Sequence, residues 1–161
     1  MAAVMGEIYP DLYAAIGVHS GLAFGSANDV VSAFAAMRGD VGLSACAAPR
    51  SATEWPAAPR TIVFHGSADR TVHPSNADRI IGAAYAHATS DQSWSEHGAS
   101  GNGRSFARTV VNAPDGTPAI ELWLIDGAGH AWSGGHPDGS YTDPRGPNAS
   151  AEMVRFFLNH S

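Results

Sequence analysis

The segment Thr61-Ile62-Val63-Phe64-His65 is apolar through its centre at consecutive rather than alternate positions, and it passes at once into Gly66-Ser67-Ala68-Asp69-Arg70-Thr71. A strand that is apolar on both faces has to be covered on both faces. That suits a parallel sheet flanked by helices and argues against a sheet with one wet face. The helical pattern that follows runs from Pro74 to about Ala88, with Ile80, Ile81, Ala84 and Tyr85 on a common face and the proline where a missing N–H does no harm. The same order occurs earlier: Tyr13 to Ser20 reads as a short buried strand, and Asn28 to Met37 as a helix with Val30, Val31, Phe34 and Met37 on one face. Strand followed by helix, twice, predicts an α/β fold.

The remaining segments fill in one domain over residues 1–161. Ala2 to Tyr9 reads as a helix stopped before Pro10. Gly39 to Pro59 lacks periodicity and reads as a surface loop, and the polar, glycine-rich stretch from Thr89 to Gly103 carries no element. Ser105 to Val111 and Ala119 to Ile125 flank Asn-Ala-Pro-Asp-Gly-Thr-Pro, which predicts an antiparallel hairpin at the edge of a mainly parallel sheet. Asn148 caps a final helix carrying Met153, Val154, Phe157 and Leu158.

Charge and cysteine content narrow the partners. The formal net charge is -6, all nine basic side chains are arginine, and no run of like charge occurs, so nucleic acid is not an expected partner. No apolar stretch approaches the roughly 20 residues that span a bilayer, and a membrane role is not expected. Cys46 is the only cysteine, which excludes an intrachain disulfide and a cysteine-rich zinc site.

Chemistry in open α/β sheets gathers just beyond the carboxyl ends of the strands. Asp69 and His130, the latter within Asp126-Gly-Ala-Gly-His-Ala-Trp-Ser-Gly-Gly135, both follow predicted strands. An aspartate there can hold an imidazole in one tautomer while the imidazole moves a proton to and from a nucleophile. Each residue also has a plainer use: Asp69 bonding the amides of its own turn, His130 exposed among glycines. The order Ser, Asp, His would place a serine elbow, G-x-S-x-G, before Asp69, and no such motif occurs. The nearest imitation, Gly42-Leu43-Ser44-Ala45-Cys46, has no strand before it, so Ser44 reads as a loop residue; Ser20 has the wrong glycine spacing. His19, His65 and His136 read as hydrogen-bonded rather than catalytic. A metal site from Asp69, His130 and His136 has no supporting motif, and no metal is expected.

Five segments carry a resemblance: "YPDLYAAIGVHSGLAFG", "SAFAAMRG", "TIVFHGSADRTVHPSNADRI", "ELWLIDGAGHAWSGG" and "SYTDPRGPNASAEMVRFFL". In this order they resemble the polyhydroxybutyrate depolymerase-like esterases, α/β-hydrolases whose relatives include feruloyl and acetyl-xylan esterases. The resemblance is to the carboxyl-terminal half and implies a partial, N-terminally truncated α/β-hydrolase domain. Asp69 then matches the triad acid and His130 the base, and the serine is expected about five residues upstream of Met1. Trp132 and Ser133 are expected to help shape the substrate pocket, although packing accounts equally well for Trp132. The implied reaction is hydrolysis of a polyhydroxyalkanoate, a feruloyl or acetyl polysaccharide or a short acyl ester, with no cofactor, outside the cell. By itself the chain would be inactive. The rival reading is an inactive remnant or binding module on the same fold. Without the elbow strand, the edge of the Tyr13–Ser20 strand would be open to self-association.

Overall fold

The computed structural model describes residues 1–40, 58–85, 93–101 and 103–158. The elements follow as α1 (Ala2–Ile8), β1 (Ala15–His19), α2 (Val30–Met37), β2 (Arg60–Gly66), α3 (Ser75–Tyr85), β3 (Ser93–Ala99), β4 (Ser105–Asn112), β5 (Pro118–Ile125), β6 (Trp132–Ser133), β7 (Thr142–Asp143) and α4 (Ala149–Leu158). The main sheet has the order β1-β2-β5-β4-β3. β1, β2 and β5 run parallel, and β4 and β3 continue the sheet antiparallel. The predicted α/β architecture with an antiparallel edge is therefore present. Ser44 and its glycine setting lie outside the described residues, as does the side chain of Tyr85.

Both faces of the parallel strands are covered, as the consecutive apolar residues of β2 require. Ile62 and Phe64 join Trp123 and Ile125 of β5 beneath Ala149, Met153 and Phe156 of α4. On the opposite face Val63 joins Val18, Val111 and Ile120 against Ala77, Ile80 and Ile81 of α3. Gly17 lets α4 come close to β1: a Cβ there would stand 2.9 Å from Met153 Sδ. β1 is an edge strand, and no described strand pairs with its outer side.

Three expectations need correction. Thr89–Gly103 does contain an element, β3, which was not visible because an outermost strand with nearly every side chain exposed needs no apolar alternation. On α2 the apolar residues Val30, Val31 and Phe34 face outward, and only Ala36 is buried. The helix is held by its ends: Asp29 and Ser32 form a reciprocal capping box, while His73 N–H and Asn76 Nδ2 donate to the Met37 and Ala36 carbonyls (2.7 and 2.9 Å). On α4 the buried stripe is Ala149, Met153 and Phe156, so Val154 and Leu158 fall on the exposed side. The Asn148 cap is present, with Oδ1 accepting from Ala151 N–H at 3.0 Å.

A fully buried carboxylate ties the sheet to α4. Arg108 of β4 grips Glu121 of β5 with two donors, Nε to Oε2 at 3.1 Å and Nη2 to Oε1 at 3.0 Å. Arg155 of α4 donates to Oε2 at 2.7 Å, and Trp123 Nε1–H at 3.2 Å. Burial alone would raise the Glu121 pKa; the two guanidinium groups outweigh it and hold the carboxyl below its ordinary value.

Candidate active site

β2 and β5 are parallel neighbours, so the turns that leave them emerge side by side. Ser67 N–H donates to the Ile125 carbonyl (2.9 Å), Ala68 N–H to the Ala128 carbonyl (3.0 Å), and Gly127 N–H to Ser67 Oγ (2.9 Å). This seam admits no side chain at Gly66, where a Cβ would stand 2.3 Å from the Ala128 oxygen. Gly127, at φ +64°, takes the left-handed turn that brings the chain back over β2. Gly66 and Gly127 thus serve the joining of two loops.

The seam sets Asp69 against His130. Asp69 is fully buried in its side chain, and its Oδ1 accepts from Thr71 N–H and Val72 N–H, both at 2.9 Å. Its Oδ2 stands 2.8 Å from His130 Nδ1. The plainer use of Asp69, bonding its own turn, and the sharper one, orienting an imidazole, occupy different oxygens of one carboxylate. Because the carboxylate accepts, Nδ1 carries a proton, and in the neutral tautomer this leaves the lone pair on Nε2; no described residue donates to Nε2, and the side chain is 38% exposed. Burial would raise the Asp69 pKa, but the Val72 amide, the His130 ring and the Thr71 amide together hold it below the ordinary value. His65, wholly buried, donates Nε2–H to the Val72 carbonyl at 2.8 Å and fastens the same turn from beneath. Burial lowers its pKa and keeps it neutral.

Next along the chain, β6 pairs with β7 in a two-stranded parallel sheet within what the sequence showed only as a Gly- and Pro-rich loop. Arg104 secures this excursion by pairing with the Asp143 carboxylate and donating to the Asp126 carbonyl at 3.1 Å. Trp132 is half-exposed, with Nε1–H on Ser150 Oγ at 3.1 Å. Ser133 is buried and its hydroxyl donates to the Pro147 carbonyl at 2.7 Å, so it shapes the loop from within. His19 lies beneath both, accepting from Ser133 N–H and stacking on Trp132. His136 is exposed beside Asp138, and no three His, Cys, Asp or Glu side chains among the described residues group so as to hold a metal ion, which removes the Asp69–His130–His136 alternative. The hydrogen-bonded readings of His19 and His65 hold. Their attachment to the Asp69 and His130 loops leaves no mark in the sequence, since the bonds join positions far apart or use backbone groups.

The family model for esterase PHB depolymerases matches residues 1–92, more than half of the chain; Asp69 lies inside that span and His130 beyond it. A poly(3-hydroxyalkanoate) depolymerase C of Paucimonas lemoignei is 29% identical over 136 residues, which are 81% of this chain and 32% of that protein. An acetyl xylan esterase from Aspergillus awamori superposes with a TM-score of 0.59 at 19% identity over 96% of this chain and 54% of that one, a likeness of fold. The chain therefore spans about a third of the length of the curated relative and about half of the solved one. The fold is α/β-hydrolase-like, as in the acetyl xylan esterase, and the chain belongs to the esterase PHB depolymerase family.

Proposed function

We propose that Asp69 and His130 are the acid and base of a serine esterase that hydrolyses carboxylic esters, with the serine supplied by an elbow preceding Met1. The observation that carries this is the 2.8 Å bond from His130 Nδ1–H to a buried carboxylate, which leaves Nε2 free to take a proton. The serine hydroxyl loses its proton to Nε2 as its oxygen bonds to the ester carbonyl carbon. The tetrahedral adduct then collapses, its C–O bond to the leaving alcohol breaks, and the imidazolium returns the proton to that alcohol. Water then loses a proton to Nε2 as its oxygen bonds to the acyl carbon, the bond from that carbon to the serine oxygen breaks to release the acid, and the imidazolium returns the proton to the serine. Asp69 stabilises the imidazolium through both steps.

The substrate class is an acyl or hydroxyacyl ester: a polyhydroxyalkanoate, an acetylated or feruloylated polysaccharide, or a short acyl ester. Trp132 forms part of its wall, and Ser133 supports that wall. A protein working on such polymers would act outside the cell. The test is to extend the reading frame upstream of Met1, express the longer protein, and assay it on nitrophenyl acyl esters and polyester film. Hydrolysis that disappears in His130→Ala and in the elbow Ser→Ala supports the reading. An upstream frame without the elbow overturns it in favour of a binding module, and full activity in His130→Ala overturns the assignment of His130 as the base.

A further inference from the structure

The Trp132–Ser133 step is held by a residue from the opposite end of the chain. His19, the last residue of β1, lies in a ladder of rings that climbs out of the core. Trp123 stacks on Phe64 (centroids 5.4 Å apart, 18°), Phe64 faces His19 (5.9 Å, 7°), and His19 stacks on Trp132 (4.8 Å, 23°). Its two ring nitrogens have opposite roles. Nε2 stands 3.0 Å from Ser133 N, whose N–H can only donate, so Nε2 is unprotonated. Nδ1 therefore carries the hydrogen and donates to Ser20 Oγ at 3.2 Å. Ser20 in turn sits in the left-handed region at φ +49° and donates its own N–H to the Phe64 carbonyl at 2.9 Å.

We infer that His19 is a positioning residue for the proposed esterase, a latch that holds the segment from His130 to Ser133 through the Ser133 amide and the Trp132 ring, and that it opens when its imidazole is protonated. The catalytic meaning of the latch rests on the reading given above. Its logic is a matter of donors: a second ring proton on Nε2 would face the Ser133 N–H, turning a hydrogen bond into a clash of donors and freeing the backbone two residues from Trp132's neighbour Ala131 and three from His130. Burial chiefly, then the nearby His65 and His130 rings, bring the His19 pKa down to about 4 against the pull of Asp69. Those three are the titratable groups felt at the ring; Phe64, Trp132 and Ser133, which touch it, carry no charge. The latch is closed at neutral pH.

The test follows the Ser133 amide by NMR in the 161-residue chain, together with the His19 ring nitrogens. The Ser133 resonance should move in one step with His19 protonation, near pH 4, and its hydrogen-exchange protection should fall about tenfold in His19→Phe, which keeps a ring but removes the acceptor. In His19→Gln, whose Oε1 reaches the place of Nε2 and does not titrate, protection should return and the step should vanish. A Ser133 amide indifferent to His19 protonation in the wild type overturns the inference without recourse to a variant, as does a step that survives in His19→Gln. Neither readout needs ester turnover. Absence of hydrolysis in the extended protein would remove the proposed reaction and leave the latch, whereas an unmoved Ser133 amide would remove the latch alone.

Discussion

Replacing Glu121 by Gln tests what the buried carboxylate does for the fold. The side chain is wholly buried and accepts four hydrogen bonds, three of them from guanidinium groups. Gln preserves the shape but removes the charge, and its amide N–H groups point donors at donors. Severing a buried pair costs about 3–5 kcal/mol because a charge is left uncompensated. Here both arginines keep a second carboxylate, Arg108 with Glu96 at 2.9 Å and Arg155 with Glu152 at 2.7 Å, so the loss should lie near the lower figure, about 3 kcal/mol. For a chain of this length that is a fall in Tm of roughly 6–12 °C. Urea unfolding of both proteins at pH 7, followed by circular dichroism, gives the difference directly. A loss below about 1 kcal/mol would refute the argument, showing that water or the flanking carboxylates replace Glu121 at no net cost.

In the upstream-extended protein, Asp69→Asn should lower kcat by about 10⁴ with KM little changed, because the imidazole loses the partner that selects its tautomer; steady-state kinetics on a soluble ester measures it. Gly66→Ala sets a methyl group against the Ala128 carbonyl and should destabilise the fold by about 1–3 kcal/mol or more, read as a lowered Tm, while shifting the His130 ring resonances. Stability should fall on acidification. His19, lowered to about 4, and His65, lowered by its burial, both bind fewer protons folded than unfolded, so the His19 contribution to stability is lost between about pH 6.5 and 4 and the His65 contribution is lost in the same direction as pH falls. Asp69 and Glu121 add their losses as pH falls through their own depressed values, and urea midpoints at pH 7.5 and 4.5 compare the two regimes. In the 161-residue chain, the side of β1 that no described strand pairs should pair with a second copy: sedimentation should show a concentration-dependent dimer, and a monomer at about 100 μM would remove that expectation.

The sequence revealed what depends on pattern. Ile62, Val63 and Phe64 announce burial on both faces, and the turn between Asn112 and Pro118 announces the β4–β5 hairpin. Asp69 and His130 could be placed at strand ends because each follows an apolar run, and the structure brings them to 2.8 Å. What stayed hidden depends on partners. β3 is an outer strand with no periodicity to show, and Val30, Val31 and Phe34 form a helical stripe that nothing among the described residues covers. Glu121 sits in an apolar strand as an apparent misfit until Arg108 and Arg155 arrive from other elements. Likewise, the second role of Asp69 as an anchor for Thr71 and Val72 cannot be separated from its first by spacing alone.

The seam between the loops after β2 and β5 has a consequence for motion. Ser67, Ala68 and Gly127 each spend a backbone N–H across it, and Gly66 leaves no room for the two loops to slide past one another. Opening one loop therefore breaks the bonds of both, so the carboxylate and the imidazole belong to a single cooperative unit of local unfolding. Thermal fluctuation then moves the pair as one body. The spacing of carboxylate and imidazole is protected even when the surrounding surface breathes.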